Sequence, residues 1–379
     1  MTPSVTGAAS AVATPAKKSG TRISELDGLR GIAILLVLAF HFTPHTGPLH
    51  SMVHVFQLGW TGVDLFFVLS GYLITGILVD TVGHRSYYRN FIVRRCLRIF
   101  PAYYLSLVIY CILTYYPLAP RWGEFLREGG WWYVTYLGNI RVTLDAAWPA
   151  LSLLTPLWSL QVEEQFYLSF PLLVWALKRK TLAKVLAASV VVAFALRFAL
   201  SLALPKNVAG EYVLMPCRMD ALAMGGLIAI AQRERPEWLK GRWIGWLTLA
   251  AAATFVAVIV FYSNTDPWPF GMHTLGYTAL DLMFAGILVM LMHWRQPFLL
   301  WVCRTRFLVW VGTISYGLYL LHMPGAFLGR RLASHIVRIT PSGSAEFFVS
   351  VAVSLALAWI SWTLFESRIL RLKERFTVR

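Results

Sequence analysis

Charge is scarce in this chain. Only 14% of its 379 residues are Asp, Glu, Lys or Arg, whereas 58% are hydrophobic and the mean hydropathy is +0.61. A soluble domain carries about 25% charged residues. So deep a deficit excludes an ordinary globular core in water and names lipid as the first candidate solvent. Cysteine is nearly absent too. Cys96, Cys111, Cys217 and Cys303 show no metal-ligand spacing and no disulfide framework, so no metal is expected. There is no Gly-x-Ser-x-Gly elbow, and Ser70 and Ser315 lie in apolar runs, which argues against serine-hydrolase chemistry. No small-residue cleavage site follows the first apolar run, so that run reads as a retained membrane helix rather than a signal peptide. There is also no internal repeat.

What the chain does have is apolar segments long enough to span a bilayer, about 17–25 residues each. They fall near 27–44, 58–80, 97–116, 157–177, 182–204, 212–231, 243–262, 271–293, 307–328 and 345–367. The expected fold is an all-α polytopic bundle of about ten transmembrane helices. Residues 1–23, rich in Ala, Ser, Thr and Pro, read as a disordered cytoplasmic tail, 24–368 as the membrane domain and 369–379 as a basic cytoplasmic tail. The longer connection 117–156 contains "EGGWWYVTYLGNI" and reads as an interfacial segment.

The basic residues orient this bundle. With a cytoplasmic N-terminus, 23 of the 34 Lys and Arg fall on inside segments and seven on outside ones, the other four lying at or within span ends. That bias follows the positive-inside rule and puts both termini in the cytoplasm of a multi-pass cell (inner) membrane protein. The formal charge of +16 is therefore topological, and no nucleic-acid partner is expected.

Ionisable side chains inside spans are costly, and each is a candidate for function. Here they converge. In the topology above, His41, Asp64, Glu163 with Glu164, Arg218 with Asp220, and His322 come from five spans and lie at similar depth in the outer half. Structural alternatives stand beside this: an Asp64–Arg218 ion pair, neutralisation of Arg218 by Asp220 in its own span, and His322 as a hydrogen-bonding helix terminus. Glu163 and Glu164 point about 100° apart on a helix, so at most one squarely faces a given pocket. At the inner face, "RRCLR" places Arg95 and Arg98 on one helix side, and Arg30 opens the first span on the same side of the membrane. Guanidinium groups bind phosphate bidentately, so this cluster is a candidate phosphate clamp, with ordinary topogenic charge as the alternative. The eleven residues from Arg30 to His41 span about 16 Å of helix, a length that suits the pantetheine arm of coenzyme A.

The stretches "ELDGLRGIAILLVLAFHF", "GVDLFFVLSGYLIT", "RRCLRIFPAYY", "PLWSLQVEEQFY", "RMDALAMGGL" and "SYGLYLLH" together resemble the integral-membrane acyltransferase family 3, from Ser24 to about Phe365. The family's arginine–histidine signature falls on Arg30 and His41, its arginine pair on Arg95 and Arg98, and its membrane glutamate on Glu163, with Glu164 beside it. The resemblance implies acyl-CoA, most simply acetyl-CoA, as donor and a hydroxyl of a glycan or other acceptor. Small antibiotics such as macrolides are an alternative acceptor. Many members carry a further extracytoplasmic domain, for which no room is expected before Arg379, so a separate extracytoplasmic partner is a candidate. On this reading His41 is a general base or an acyl carrier. Glu163 orients it or is itself the base, Arg30, Arg95 and Arg98 hold the coenzyme phosphates, and Asp64, Arg218, Asp220 and His322 line the pocket. The rival from another class is a transporter or flippase, for which buried charges would line a path.

Overall fold

The computed structural model describes residues 23–115, 125–335, 343–372 and 375. Apart from Ile23, the expected N-terminal tail lies outside the described residues, as do 373–374 and 376–379 of the basic C-terminal tail. The described residues form helices and no strand; one isolated bridge joins Thr46 to Gly343. The main helices are α1 (Ser24–His41), α2 (Gly62–Thr81), α3 (Tyr87–Tyr115), α4 (Leu157–Ala176), α5 (Arg179–Ala203) and α6 (Met215–Glu234). They continue with α7 (Trp243–Tyr262), α8 (Tyr277–Val289), α9 (Arg306–Thr313), α10 (Ser315–His335) and α11 (Ser344–Ser361).

All ten expected segments are helical. Among the described residues seven helices are long and apolar enough to cross a membrane, and α9 with α10, bent by 79°, makes eight as a broken span. The two expected spans that fall short are α1 and α4. Their polar residues explain the shortfall: Glu25, Asp27 and Arg30 in one, Gln161, Glu163, Glu164 and Gln165 in the other.

Close helix contact sets the centre of the bundle. A Cβ on Gly71 of α2 would stand 1.9 Å from the Leu222 carbonyl oxygen, and one on Gly225 of α6 would stand 2.0 Å from that of Val68. The two glycines thus let α2 and α6 cross backbone to backbone, as small residues do between membrane helices.

The described part of the connection before α4 packs against the bundle. It runs alongside α3 and turns back through Tyr136, which has φ 59° and stacks on Tyr103 at 4.1 Å and Phe100 at 5.4 Å. Tyr133 and Tyr136 are buried there, so the connection is a hairpin held against the bundle. Buried backbone that is not helical needs protein groups to satisfy it. The Tyr103 hydroxyl donates to the Tyr133 carbonyl at 2.7 Å, Gln165 donates to the Tyr136 carbonyl at 3.2 Å, and the Asn139 amide donates to Gln161 at 2.5 Å. Gln161 and Gln165, polar residues in an apolar helix, are there to hold this turn.

Candidate active site

At one end of the bundle, a cavity of about 90 Å³ collects three guanidinium groups. Arg30 comes from α1, and Arg95 and Arg98 from α3, one helical turn apart on the same face. Ser70 of α2, Glu163 and Tyr167 of α4 and Tyr316 of α10 are among its other polar lining residues. Arg30 pairs with Asp27 at 3.4 Å, Arg95 lies over the rings of Phe91 and Tyr167 at 5.6 and 5.4 Å, and the Ser70 and Tyr167 hydroxyls are hydrogen-bonded at 2.7 Å. A smaller adjoining cleft is lined by Arg94, Arg95 and Arg98. Three cations against one or two carboxylates leave the cavity suited to an anion.

His41, at the last position of α1, lines a second cavity of about 220 Å³. Its walls are aromatic: Trp60, Trp148, Trp158, Tyr212, Trp268 and Tyr319. His41 also borders a polar vestibule of about 130 Å³ with Thr43, His45 and Ser350, where Arg330 and Glu346 pair at 2.9 Å. His41 Nδ1 lies 2.9 Å from the Val37 carbonyl oxygen. A carbonyl only accepts, so Nδ1 carries the hydrogen and the neutral ring keeps its lone pair on Nε2. The nearest ring is that of His322, centroid to centroid 4.8 Å. His322 is built alike, with Nδ1 at 2.7 Å from the Tyr319 carbonyl and Nε2 unpartnered among the described residues.

The two cavities share a wall. Val63 and Tyr319 line both. The Tyr319 hydroxyl donates to the Pro156 carbonyl at 2.9 Å and lies 2.5 Å from the Ser159 hydroxyl, which pins the ring in place.

Behind the aromatic cavity lies a fully buried charge network. Arg218 of α6 pairs with Asp64 of α2, and Arg197 of α5 pairs with Asp220 at 2.7 Å. Arg197 also donates to the His273 carbonyl at 2.6 Å and to Thr278 at 2.8 Å. The Arg218 guanidinium lies over the rings of Tyr277 and Tyr212 at 4.3 and 5.3 Å, and Asp281 of α8 is buried close by.

Residues 23–363 match the sequence profile of a family described as "Acyltransferase domain", the acyltransferase family 3. The chain belongs to that family. It is 27% identical over 374 residues to the peptidoglycan O-acetyltransferase OatA of Listeria monocytogenes, a match covering 92% of this chain and 56% of the relative. To the O-acetyltransferase OatA of Staphylococcus aureus it is 25% identical over 326 residues, 79% of this chain and 50% of the relative. The chain thus spans about half the length of the curated relatives it matches. No solved structure matches it.

In this acyltransferase-family chain the structure gathers Arg30, Arg95, Arg98 and Glu163 in one cavity and places His41 on the next, with the His322 ring packed against it. The candidate residues do not all share one pocket. Glu163 belongs with the arginines, and the ring next to His41 is His322. Asp64, Arg218, Asp220 and His322 line neither cavity; the three charged groups each close on an oppositely charged partner behind the wall. Glu164 is buried and lines neither cavity. Unassigned from the sequence were Arg197 and Asp281, each a lone charge in an apolar run, which is itself a usable signal. Also unassigned were Trp148, Trp158 and Trp268. No local pattern marks a tryptophan as cavity wall rather than lipid-facing anchor.

Proposed function

We propose that this protein transfers an acyl group, acetyl in the simplest case, from acyl-CoA to a hydroxyl of a glycan acceptor. The observation that carries the reading is the pair of adjoining cavities, one with three guanidinium groups and one with a histidine whose Nε2 makes no hydrogen bond among the described residues. Arg30, Arg95 and Arg98 would hold the coenzyme phosphates as charge-assisted bidentate partners. The pantetheine arm would pass the Val63–Tyr319 wall and present its thioester, the activated acyl group, to the aromatic cavity.

There His41 Nε2 takes the proton of the acceptor hydroxyl as its oxygen attacks the thioester carbon. The C–S bond breaks, and the imidazolium returns the proton to the departing thiolate, so His41 ends the cycle neutral. Glu163, with Ser70 and Tyr167, would position the arginines. The aromatic wall suits a sugar ring, whose C–H face meets the negative face of an indole. The names of the relatives support peptidoglycan as the acceptor class. The charge bias supports the arginine cavity at the cytoplasmic face and the His41 cavity toward the outer face of the cell membrane.

The test is acyl transfer by purified protein in lipid nanodiscs, with acetyl-CoA and a peptidoglycan fragment. Acetylated product that disappears in a folded His41→Ala variant supports the reading; transport of the fragment without acylation would replace it by the transporter alternative.

A further inference from the structure

A cavity larger than either chamber, about 570 Å³, lies between α5, α6, α7 and α8 and shares no lining residue with them. Its depth is apolar, with Leu227 of α6, Leu247 of α7 and Leu282 and Val289 of α8. Its rim is different. Arg179, Lys180 and Lys184 stand on the first turns of α5, and Arg235 follows α6. The one acid on the rim among the described residues, Glu234, is taken by Arg179 at 2.9 Å. Lys180 and Lys184 are exposed and make no hydrogen bond or ion pair among the described residues. Trp238 and Trp243, both more than half exposed, flank the opening, with Arg235 5.6 Å from the Trp238 ring.

The rim lies at the end of the bundle that holds the arginine cavity. Arg233 in the last turn of α6 pairs with Asp80 in the last turn of α2 at 2.5 Å, and Arg179 reaches the Val79 carbonyl at 3.4 Å. Apolar depth, tryptophans at the mouth and unneutralised cations beside them form the pattern of the membrane–water interface, cut here into a groove between helices.

We propose that this groove binds an anionic glycerophospholipid from the adjacent leaflet. Its acyl chains would lie against Leu227, Leu247 and Leu282, and its phosphate among Lys180, Lys184 and Arg235. Charge complementarity favours an anionic headgroup: a zwitterionic lipid brings its own ammonium into a site already cationic. The coenzyme is not the occupant, because the groove opens into neither chamber and the one polar side chain in its depth, Thr248, gives its hydroxyl to the Ile244 carbonyl. The site does not depend on the acyl-transfer reading.

The experiment is native mass spectrometry of the full chain released from detergent, titrated with dioleoylphosphatidylglycerol or dioleoylphosphatidylcholine. Retention of the glycerol lipid at about tenfold lower concentration is expected from the rim charges. The triple variant Lys180→Gln, Lys184→Gln, Arg235→Gln should abolish that preference, and Ala183→Trp, which fills the groove, should lower retention of both lipids. Glycerol 1-phosphate should not compete. Equal retention of the two lipids by the wild-type chain, an unchanged preference in the triple variant, or competition by glycerol 1-phosphate alone would each overturn the proposal.

Discussion

The imidazole rings of His41 and His322 lie 4.8 Å apart, on helices that meet end to middle, and each has given its Nδ1 to a carbonyl of its own helix. His322 Nε2 is buried without a hydrogen-bond partner among the described residues. Replacing His41 by Ala should lower kcat by about 10²–10⁴-fold, the usual range for a general base. His322→Ala should lower it less, because His322 lines neither cavity. Thermal unfolding of each variant, measured alongside activity, separates loss of chemistry from loss of fold.

Coenzyme binding should depend on the arginines one by one. A hydrogen bond to a charged group contributes about 1.5–3 kcal/mol, so Arg30→Ala, Arg95→Ala and Arg98→Ala should each weaken coenzyme A binding by about tenfold or more. Arg95→Lys should not restore it, since a lysine can neither fork onto phosphate nor lie flat over Phe91 and Tyr167. Calorimetric titration with coenzyme A lacking an acyl group reads binding without turnover.

Tyr319 divides the two cavities, and its size and its hydroxyl can be varied separately. Tyr319→Phe loses the bonds to Pro156 and Ser159, at a cost near 1 kcal/mol for each. Tyr319→Trp thickens the wall. The first should lower the unfolding temperature modestly; the second should lower kcat while leaving coenzyme A affinity unchanged. Equal loss of both in the Trp variant would mean that the wall is not a passage.

The Asp64–Arg218 pair is 0% and 1% exposed, so breaking it is expected to be severe. Asp64→Leu alone leaves a buried guanidinium without its carboxylate, a change that costs about 3–5 kcal/mol. Asp64→Leu with Arg218→Met removes both charges and should recover most of that stability. Unfolding of the single and double variants in the same detergent gives the coupling directly.

These residues also mark how far the sequence can be read. Helix positions are legible because a hydrophobic run of bilayer length can satisfy its peptide groups in lipid only by coiling into a helix. The arginine cluster is legible because Arg95 and Arg98, one turn apart, share a face whatever surrounds them. Asp64 and Arg218 are recognisable as candidates, but whether they line a pocket or close on each other depends on how α2 rotates against α6. That rotation is fixed by Gly71 meeting the backbone of Leu222 and Gly225 that of Val68, a long-range fact. Glu163 and Glu164 pose the same problem on one helix: spacing separates their directions, and only packing chooses between them. The hairpin before α4 reads as interfacial because its aromatic content fits a bilayer surface. Its partners, Gln161 and Gln165, come later in the chain and look like part of the catalytic stretch.

That hairpin has a consequence for how the protein is made. Its turn is completed by side chains that do not yet exist when it leaves the ribosome, since Asn139 is bonded to a glutamine 22 residues further on. At about 5–20 residues per second, synthesis keeps it waiting for one to several seconds. During that interval the Asn139 amide and the Tyr136 carbonyl lack the partners that α4 supplies, so the turn takes its final form only when α4 arrives.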